Sequence, residues 1–279
     1  MKRYYFNAPT FFEFELKDLA AIKRYKQAAG TPHRAEFYQI VRIETGKSTQ
    51  TLDFNPVEVV AGQLLFVAKN QVISFDTSSD YNGQIMLFTD MFFNRCECDV
   101  RFLKQLNLFN PFTKNAPLSI NQKQKSILNL IKNEFQAEQT ALQSDAIHHL
   151  LCAFLIEAAR QQSESTSQTH SIDYQTALQF AELVEHNFKT LRKVNDYLNL
   201  MNISDKNLSK ALKTTVSKSP KQFIDERIVL EAKRMLAYGN ESVKEITFLL
   251  GFDEHTNFTK FFNKTTGMLP SQFRSTMKK

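Results

Sequence analysis

The spacing of hydrophobic residues along the chain changes character twice. Up to about residue 110 the apolar positions come in short, roughly alternating runs, "AEFYQIVRIETG", "QTLDFNPVEVVAGQLLFVAKN" and "GQIMLFTDMFF", punctuated by Gly, Asn and Pro. Alternation of this kind marks half-buried strands, and runs of this length predict a small antiparallel barrel. Between Ile120 and Arg160 the period becomes helical, with Ile127, Leu130, Ile131 and Phe135, then Leu142, Ala146, Leu150, Ala153, Phe154 and Glu157. Two helices joined near Ala137 to Gln143 are expected, well placed to dimerise. The stretch "QQSESTSQTHSIDYQ" that follows is too polar to bury an apolar face and is read as a linker. Everything beyond it reads as helix. The segment "PKQFIDERIVLEAKRMLAYGN" places Pro at its start and Gly239 past its end, the usual order of helix punctuation.

The helical part contains one pattern twice. Sliding the second copy by 50 residues lays Asn207 on Asn257, Lys210 on Lys260, Thr215 on Thr265, Pro220 on Pro270, Gln222 on Gln272 and Phe223 on Phe273. Before the turn the offset is 49, which puts one extra residue in the second copy around Glu254 or His255. Each copy reads as a short helix, a tight turn and a second helix. In the first, Val194, Tyr197, Leu198 and Met201 line one face, Asn202 and Ile203 make the turn, and Ser204 caps. In the second, Val243, Ile246, Leu249 and Leu250 line the face, Gly251 supplies a left-handed turn, Phe252 staples the angle and Asp253 caps.

In the second helix of each copy, Leu208, Ala211 and Leu212, or Phe258, Phe261 and Phe262, face inward. The outer positions are Lys206, Asn207, Ser209, Lys210 and Lys213 in one copy and His255, Thr256, Asn257, Thr259, Lys260, Asn263 and Lys264 in the other. This donor-rich face carries no carboxylate after Asp205 and Glu254, and it suits the acceptors and phosphates of a DNA major groove. A single polar helix face more often meets only water. Duplication changes that balance, since two groove readers on one chain address one DNA face when about 34 Å apart. Lys244 and Lys264, nearer the helix ends, are expected on phosphates.

The last hundred residues resemble the DNA-binding domain of the AraC/XylS family of bacterial transcription regulators. The resemblance rests on Gly251, Phe252, Asp253, Phe258, Lys260, Phe262, Lys264, Gly267, Pro270, Phe273 and Arg274. Lys210 and Lys260 stand where that family often has Arg, and Ser217 replaces the usual Gly of the first copy. Less specifically, "PHRAEFYQIVRIETG" and "LLFVAKNQVISFD" are similar to strands of the family's cupin-like regulatory domain. The resemblance implies an α+β chain: a cupin-like β-barrel with flanking helices over residues 1–162, a linker over 163–175, and an all-α double helix-turn-helix domain over 176–279. It further implies a small-molecule effector, a homodimer, and double-stranded DNA and RNA polymerase as partners. His33, Arg34, Glu36 and Tyr38 are the candidates to line an effector pocket.

Charge supports the division. Residues 176–279 hold 17 Lys+Arg against 11 Asp+Glu, and residues 1–175 hold 18 of each, so the net +6 lies wholly in the helical part. That is the footprint of a module that meets a polyanion. No run of some 18 to 20 apolar residues suggests a membrane span, and "MKRYYFNAPTFFEFELKD" breaks up any signal-peptide core, so a cytoplasmic protein is expected. Cys96, Cys98 and Cys152 are too few for a disulfide framework and are expected to be inert. A metal cupin needs two His and a Glu on one strand pair; Arg34 and Ala35 lie between His33 and Glu36, and Ile73 occupies the later strand. Asp145, His148 and His149 lack a fourth ligand, and no nucleophile elbow or phosphate loop is present. No metal, cofactor or catalytic residue is expected; the alternative is a metal-cupin enzyme with an accessory DNA-binding tail.

Overall fold

The computed structural model describes residues 2–6, 12–23, 30–109, 116–164 and 172–277. The chain divides into two compact units between Ser167 and Gln168.

In the first unit nine strands form one mixed sheet among the described residues: β1 (Lys2–Tyr4), β2 (Phe14–Asp18), β3 (His33–Ala35), β4 (Tyr38–Leu52), β5 (Asn55–Val60), β6 (Gln63–Val67), β7 (Val72–Ser74), β8 (Tyr81–Phe88) and β9 (Leu118–Ser119). The pairings are antiparallel except β1 with β3, which run parallel. The long strand β4 pairs with β6 and β8 through its first half and with β5 and β7 through its second, so the sheet curls around it. Side chains alternate between its faces. Ile40, Leu64, Phe66, Met86 and Phe88 belong to an outer cluster completed by α4 (Gln122–Gln136) and α5 (Gln143–Glu164). Val41, Ile43, Leu65, Val67, Ile85 and Leu87 line the concave side, and α1 (Leu19–Lys23) adds Leu19.

Three sequence expectations change here. The "TDMFF" segment does not continue a strand. Thr89 accepts from Phe92 N at 3.3 Å and starts α2 (Asp90–Phe93), which buries Phe92 and Phe93, and α3 (Glu97–Gln105) follows. The expected helical stripe holds at Ile131 and Phe154, with Ile127, Phe135 and Leu150 packed against the core, but not at Leu130 and Leu142. Leu128, Ile131, Ile147, Leu151, Phe154, Leu155 and Ala158 form the core, whereas Leu130 is 53% and Leu142 71% exposed. Finally, Cys96 and Cys98 are bonded to each other across the N-cap of α3, where the turn brings their Cα atoms to 5.2 Å; only Cys152 is free.

The second unit is helical: α6 (Ile172–Asn187), α7 (Val194–Met201), α8 (Asp205–Val216), α9 (Pro220–Tyr238), α10 (Val243–Leu249), α11 (His255–Thr266) and α12 (Pro270–Met277). Helix α5 reaches Glu164 and α6 opens at Ile172 and buries Tyr174; the expected linker, 163–175, lies largely outside the described residues. Helix α9 is central. Phe223, Ile224, Ile228, Ala232 and Leu236 are buried along it. So are Arg227, Glu231 and Arg234, which the periodicity does not foretell. Arg227 grips Glu185 of α6 through Nε at 2.5 Å and a second nitrogen at 2.8 Å, reaches Glu231 at 3.3 Å, and stacks 4.0 Å from the Phe188 ring centre. Arg234 donates to the same Glu231 at 3.2 Å.

Removing one partner of a buried ion pair is costly, but Glu185 is partly exposed and Glu231 keeps Arg234. Arg227→Ala is therefore expected to destabilise the helical unit by about 2–4 kcal/mol, and Glu185→Gln by under about 1 kcal/mol. Urea denaturation of the full chain, followed by far-UV circular dichroism, checks both; equal effects would show that the fork to Glu185 carries the energy.

Candidate nucleic-acid interface

Each helix-turn-helix is set by one residue with a left-handed backbone. In the first it is Asn202 with φ 51°, tolerated because a short amide side chain suits that region. In the second it is Gly251 with φ 75°. A Cβ at Gly251 would sit 1.9 Å from the Lys189 carbonyl oxygen, so space and torsion both demand glycine. Ser204 caps α8 by accepting from Asn207 N at 3.3 Å, as expected. The second cap differs from expectation: Glu254, not Asp253, is the N-cap of α11, and its side chain makes no capping bond. The extra residue of the second copy thus lies in the turn, where Phe252–Asp253 stands against the single Ile203. The Phe252 ring fills that wider turn, 5.3 Å from Phe258 and 5.2 Å from Phe261, with the Arg192 guanidinium 4.1 Å above it.

Leu208, Ala211, Leu212, Phe258 and Phe262 are fully buried, which fixes the rotation of both second helices. Lys206, Asn207, Lys210 and Lys213 are then exposed on α8, and His255, Thr256, Asn257, Lys260, Asn263 and Lys264 on α11. Ser209 and Thr259, equivalent in the two copies, are half-buried. His255 Nδ1 lies 3.4 Å from Thr247 Oγ1, and Thr256 Oγ1 donates to Glu254 at 3.2 Å. Lys210 pairs with Asp173 of α6 at 3.2 Å, but its side chain stays 70% exposed. Such a pair is worth at most about 1 kcal/mol, so a nucleic-acid acceptor can displace it.

Both recognition helices end in a left-handed residue, Ser217 with φ 57° and Gly267 with φ 75°. Helix α12 closes the second copy: Phe273 packs 5.8 Å from Phe262, and Arg274 donates to the Glu241 carbonyl at 2.6 Å.

In the first unit, a cavity of about 600 Å³ opens on the concave side of the sheet. Of the four residues expected at an effector pocket, it includes His33 alone. Arg34 is buried away from the lining. Glu36 is exposed and faces Arg3 at 3.9 Å. Tyr38 points to the outer face, its ring 5.1 Å from Phe88 and 4.9 Å from Phe109. Strand alternation explains the difference: Tyr38 starts β4 pointing outward, and its neighbour Gln39 points in. Gln39, Lys17 and Glu15 line the cavity and carried no motif in the sequence.

His33 and Glu36 join no group of three or more potential metal ligands among the described residues; Cys96, Cys98 and Asp99 do, with both sulfurs in the disulfide. His148 is buried with Nε2 2.9 Å from the Phe93 carbonyl, His149 contacts the Asp145 carbonyl at 2.7 Å, and Asp145 pairs with Arg95. Burial holds the His148 imidazole below its ordinary range, so it packs as a neutral side chain. No helix among the described residues is long and apolar enough to cross a membrane.

Residues 197–276 match the family model described as a helix-turn-helix domain. Over 273 residues the chain is 23% identical to the HTH-type transcriptional activator RhaS of Yersinia pestis (strain Pestoides F), covering 95% of this chain and 96% of that protein. The RhaS of Pectobacterium carotovorum subsp. carotovorum (strain PC1) is likewise 23% identical, over 95% of this chain and 94% of its own. A similar solved structure is ToxT from Vibrio cholerae O395 bound to (E)-4-(8-methylnaphthalen-1-yl)but-3-enoic acid, at 13% identity and a TM-score of 0.46, covering 95% and 99% of the two chains.

Three substitutions test this surface. A left-handed non-glycine residue costs about 1–2 kcal/mol, partly offset by the chain entropy of glycine, so Ser217→Gly is expected to stabilise by about 0.5–1 kcal/mol without altering DNA preference. Lys260→Ala is expected to remove about 1–3 kcal/mol from binding to a selected duplex and less from a scrambled one, whereas Lys264→Ala weakens both alike and flattens the salt dependence. Fluorescence anisotropy across a salt series measures both; equal losses for Lys260→Ala would put that lysine on backbone, not bases.

Proposed function

The chain belongs to the AraC/XylS family of transcription regulators, and from that premise we propose that α8 and α11 enter adjacent major-groove segments of one DNA site. The observation that carries this reading is the paired exposure of Lys206, Lys210 and Lys213 on α8 and of Thr256, Lys260 and Asn263 on α11, each stripe opposite a fully buried apolar one. The helix between them, α9, has 19 residues and spans about 28 Å, a length suited to readers about one DNA turn apart. Lys206, Lys210, Thr256 and Lys260 read bases in this proposal, and Lys244 and Lys264 hold phosphates.

The first unit senses a small molecule in its concave cavity, and the protein works in the cytoplasm as an activator in contact with RNA polymerase, in keeping with the activator names of its relatives. It acts as a homodimer through α4, α5 and the turn between them, where Leu130 and Leu142 are large apolar side chains left in water.

Sites recovered by selection from random duplexes are expected to contain two conserved segments about 10 base pairs apart, and inserting 5 base pairs between them to cut affinity at least tenfold by turning one segment to the far side. Affinity unchanged by the insertion would sink the two-reader geometry. Sedimentation at micromolar concentration checks the association: a dimer is expected, and Leu130→Glu with Leu142→Glu is expected to shift it to monomer. A wild-type monomer with and without DNA would rule it out.

A further inference from the structure

The bond between Cys96 and Cys98 lies where a structural staple achieves little. It encloses a single intervening residue, Glu97, so the chain entropy it removes from the unfolded state is small. Both cysteines belong to the turn that opens α3, so the bond joins no two elements of the fold. Both are also exposed. An exposed disulfide is within reach of attacking thiols and is of the labile kind, unlike one sealed in a core. The third cysteine does not compete for exchange. Cys152 is half-buried on α5 with its sulfur 3.9 Å from His148 Nε2, and burial pushes its thiol up to about 11, so at neutral pH it stays protonated and is a poor nucleophile.

The same turn holds on to α5. Asp99 Oδ2 accepts from Arg95 N at 2.9 Å and from Cys96 N at 3.2 Å, which fixes the backbone on one side of the disulfide. The Arg95 guanidinium then donates to the Ser144 carbonyl at 2.9 Å and to Ser144 Oγ at 2.7 Å, and pairs with Asp145. These are among the first residues of α5, and Leu142, 71% exposed, directly precedes that helix. Contacts of this kind are weak one by one because they are open to water. They gain from preorganisation: each torsion that the closed Cys96–Cys98 ring fixes is one that need not be ordered to present Arg95 to α5.

We propose that Cys96 and Cys98 form a reversible oxidation site, a dithiol that closes by exchange with a low-molecular-weight disulfide of the glutathione type and whose closure tightens the Arg95 clamp on α5. One cysteine thiolate attacks a sulfur of the small disulfide, forming a mixed disulfide and expelling one small thiolate. The other cysteine thiolate attacks the protein sulfur of that mixed disulfide, forming the Cys96–Cys98 bond and expelling the second. The two protons given up by the cysteines end on the two released thiols, and two electrons pass from the protein sulfurs to the small disulfide. Excess small thiol runs the same steps backwards. The site adds a covalent input to the turn that carries Leu142, and it rests on the homodimer reading only for its effect on association.

The test uses the full chain carrying Cys152→Ser, so that alkylation counts the pair alone. Protein equilibrated in millimolar mixtures of reduced and oxidised glutathione is trapped with iodoacetamide and weighed by mass spectrometry. A single transition between two alkylated thiols and none is expected, with the same midpoint from the reduced and the oxidised side and an unchanged far-UV circular dichroism spectrum. Hydrogen exchange followed by mass spectrometry then reads the clamp: the peptide that opens α5 is expected to exchange at least threefold more slowly in the disulfide form, and Arg95→Ala to abolish that difference. Cys98→Ser in oxidising buffer is expected to match the reduced protein. A pair that stays bonded in excess reduced glutathione, a pair that never closes in oxidised glutathione, or equal exchange at the start of α5 in the two states overturns the proposal. Sedimentation of both states separates it from the homodimer reading: a monomer in each, with the exchange difference intact, defeats the homodimer reading alone and upholds the oxidation site.

Discussion

Two helix-turn-helix units share one scaffold because a single helix, Pro220–Tyr238, packs against α6, α8, α10, α11 and α12. A helix with neighbours on so many sides cannot keep an ordinary polar face. It solves this by burying charges in mutual contact: Arg227 and Arg234 bracket Glu231, and Arg227 forks onto Glu185. Apolar side chains alone would fill the same space, often with equal stability, but would not fix rotation. A planar guanidinium held by two carboxylates and stacked on Phe188 accepts one orientation. That network ties α9 to α6, while Leu208 and Leu212 on one side and Phe258 and Phe262 on the other pack inward from the faces opposite the lysines of α8 and α11.

The helical unit was legible in the sequence because it is written twice. The offset of 50 residues identified the inward and outward positions before any coordinates, and burial follows that division at Leu208, Leu212, Phe258 and Phe262. What could not be read was local. Asp253 looks like a cap because Asp caps well, but the chain needs one more turn residue to seat Phe252, which moves the helix start to Glu254. The Arg227 network escaped for a different reason: charged residues inside an apolar period look like a solvated edge until a second helix supplies Glu185 from 42 residues away.

The first unit was less legible. Its strands follow from alternation, but a one-residue error of phase inverts every assignment, and that is what separates Tyr38 from Gln39. The same holds for Leu130 and Leu142, which fall off the buried stripe by about one residue and so are left on the surface. Of the four residues expected at a pocket, His33 alone lines the concave cavity. Gln39, Glu15 and Lys17 become a group through the β2–β8–β4 register, a long-range pairing that no local pattern encodes.

The charge distribution gives these two kinds of site different physics. All of the net +6 lies in the helical part, so its attraction to a polyanion is long-ranged and weakens with salt. The cavity wall is largely apolar with Lys17 paired to Glu15, so attraction there is short-ranged by comparison. Lysines at positions 206, 210 and 260 add to this contrast. A lysine is a flexible point charge and lacks the bidentate fork that would fix one guanine, so on the proposed reading each of these helices would supply strong but permissive attraction. In the proposed reading, sequence preference then depends on both helices engaging one site together, since neither lysine-bearing face alone would fix a base.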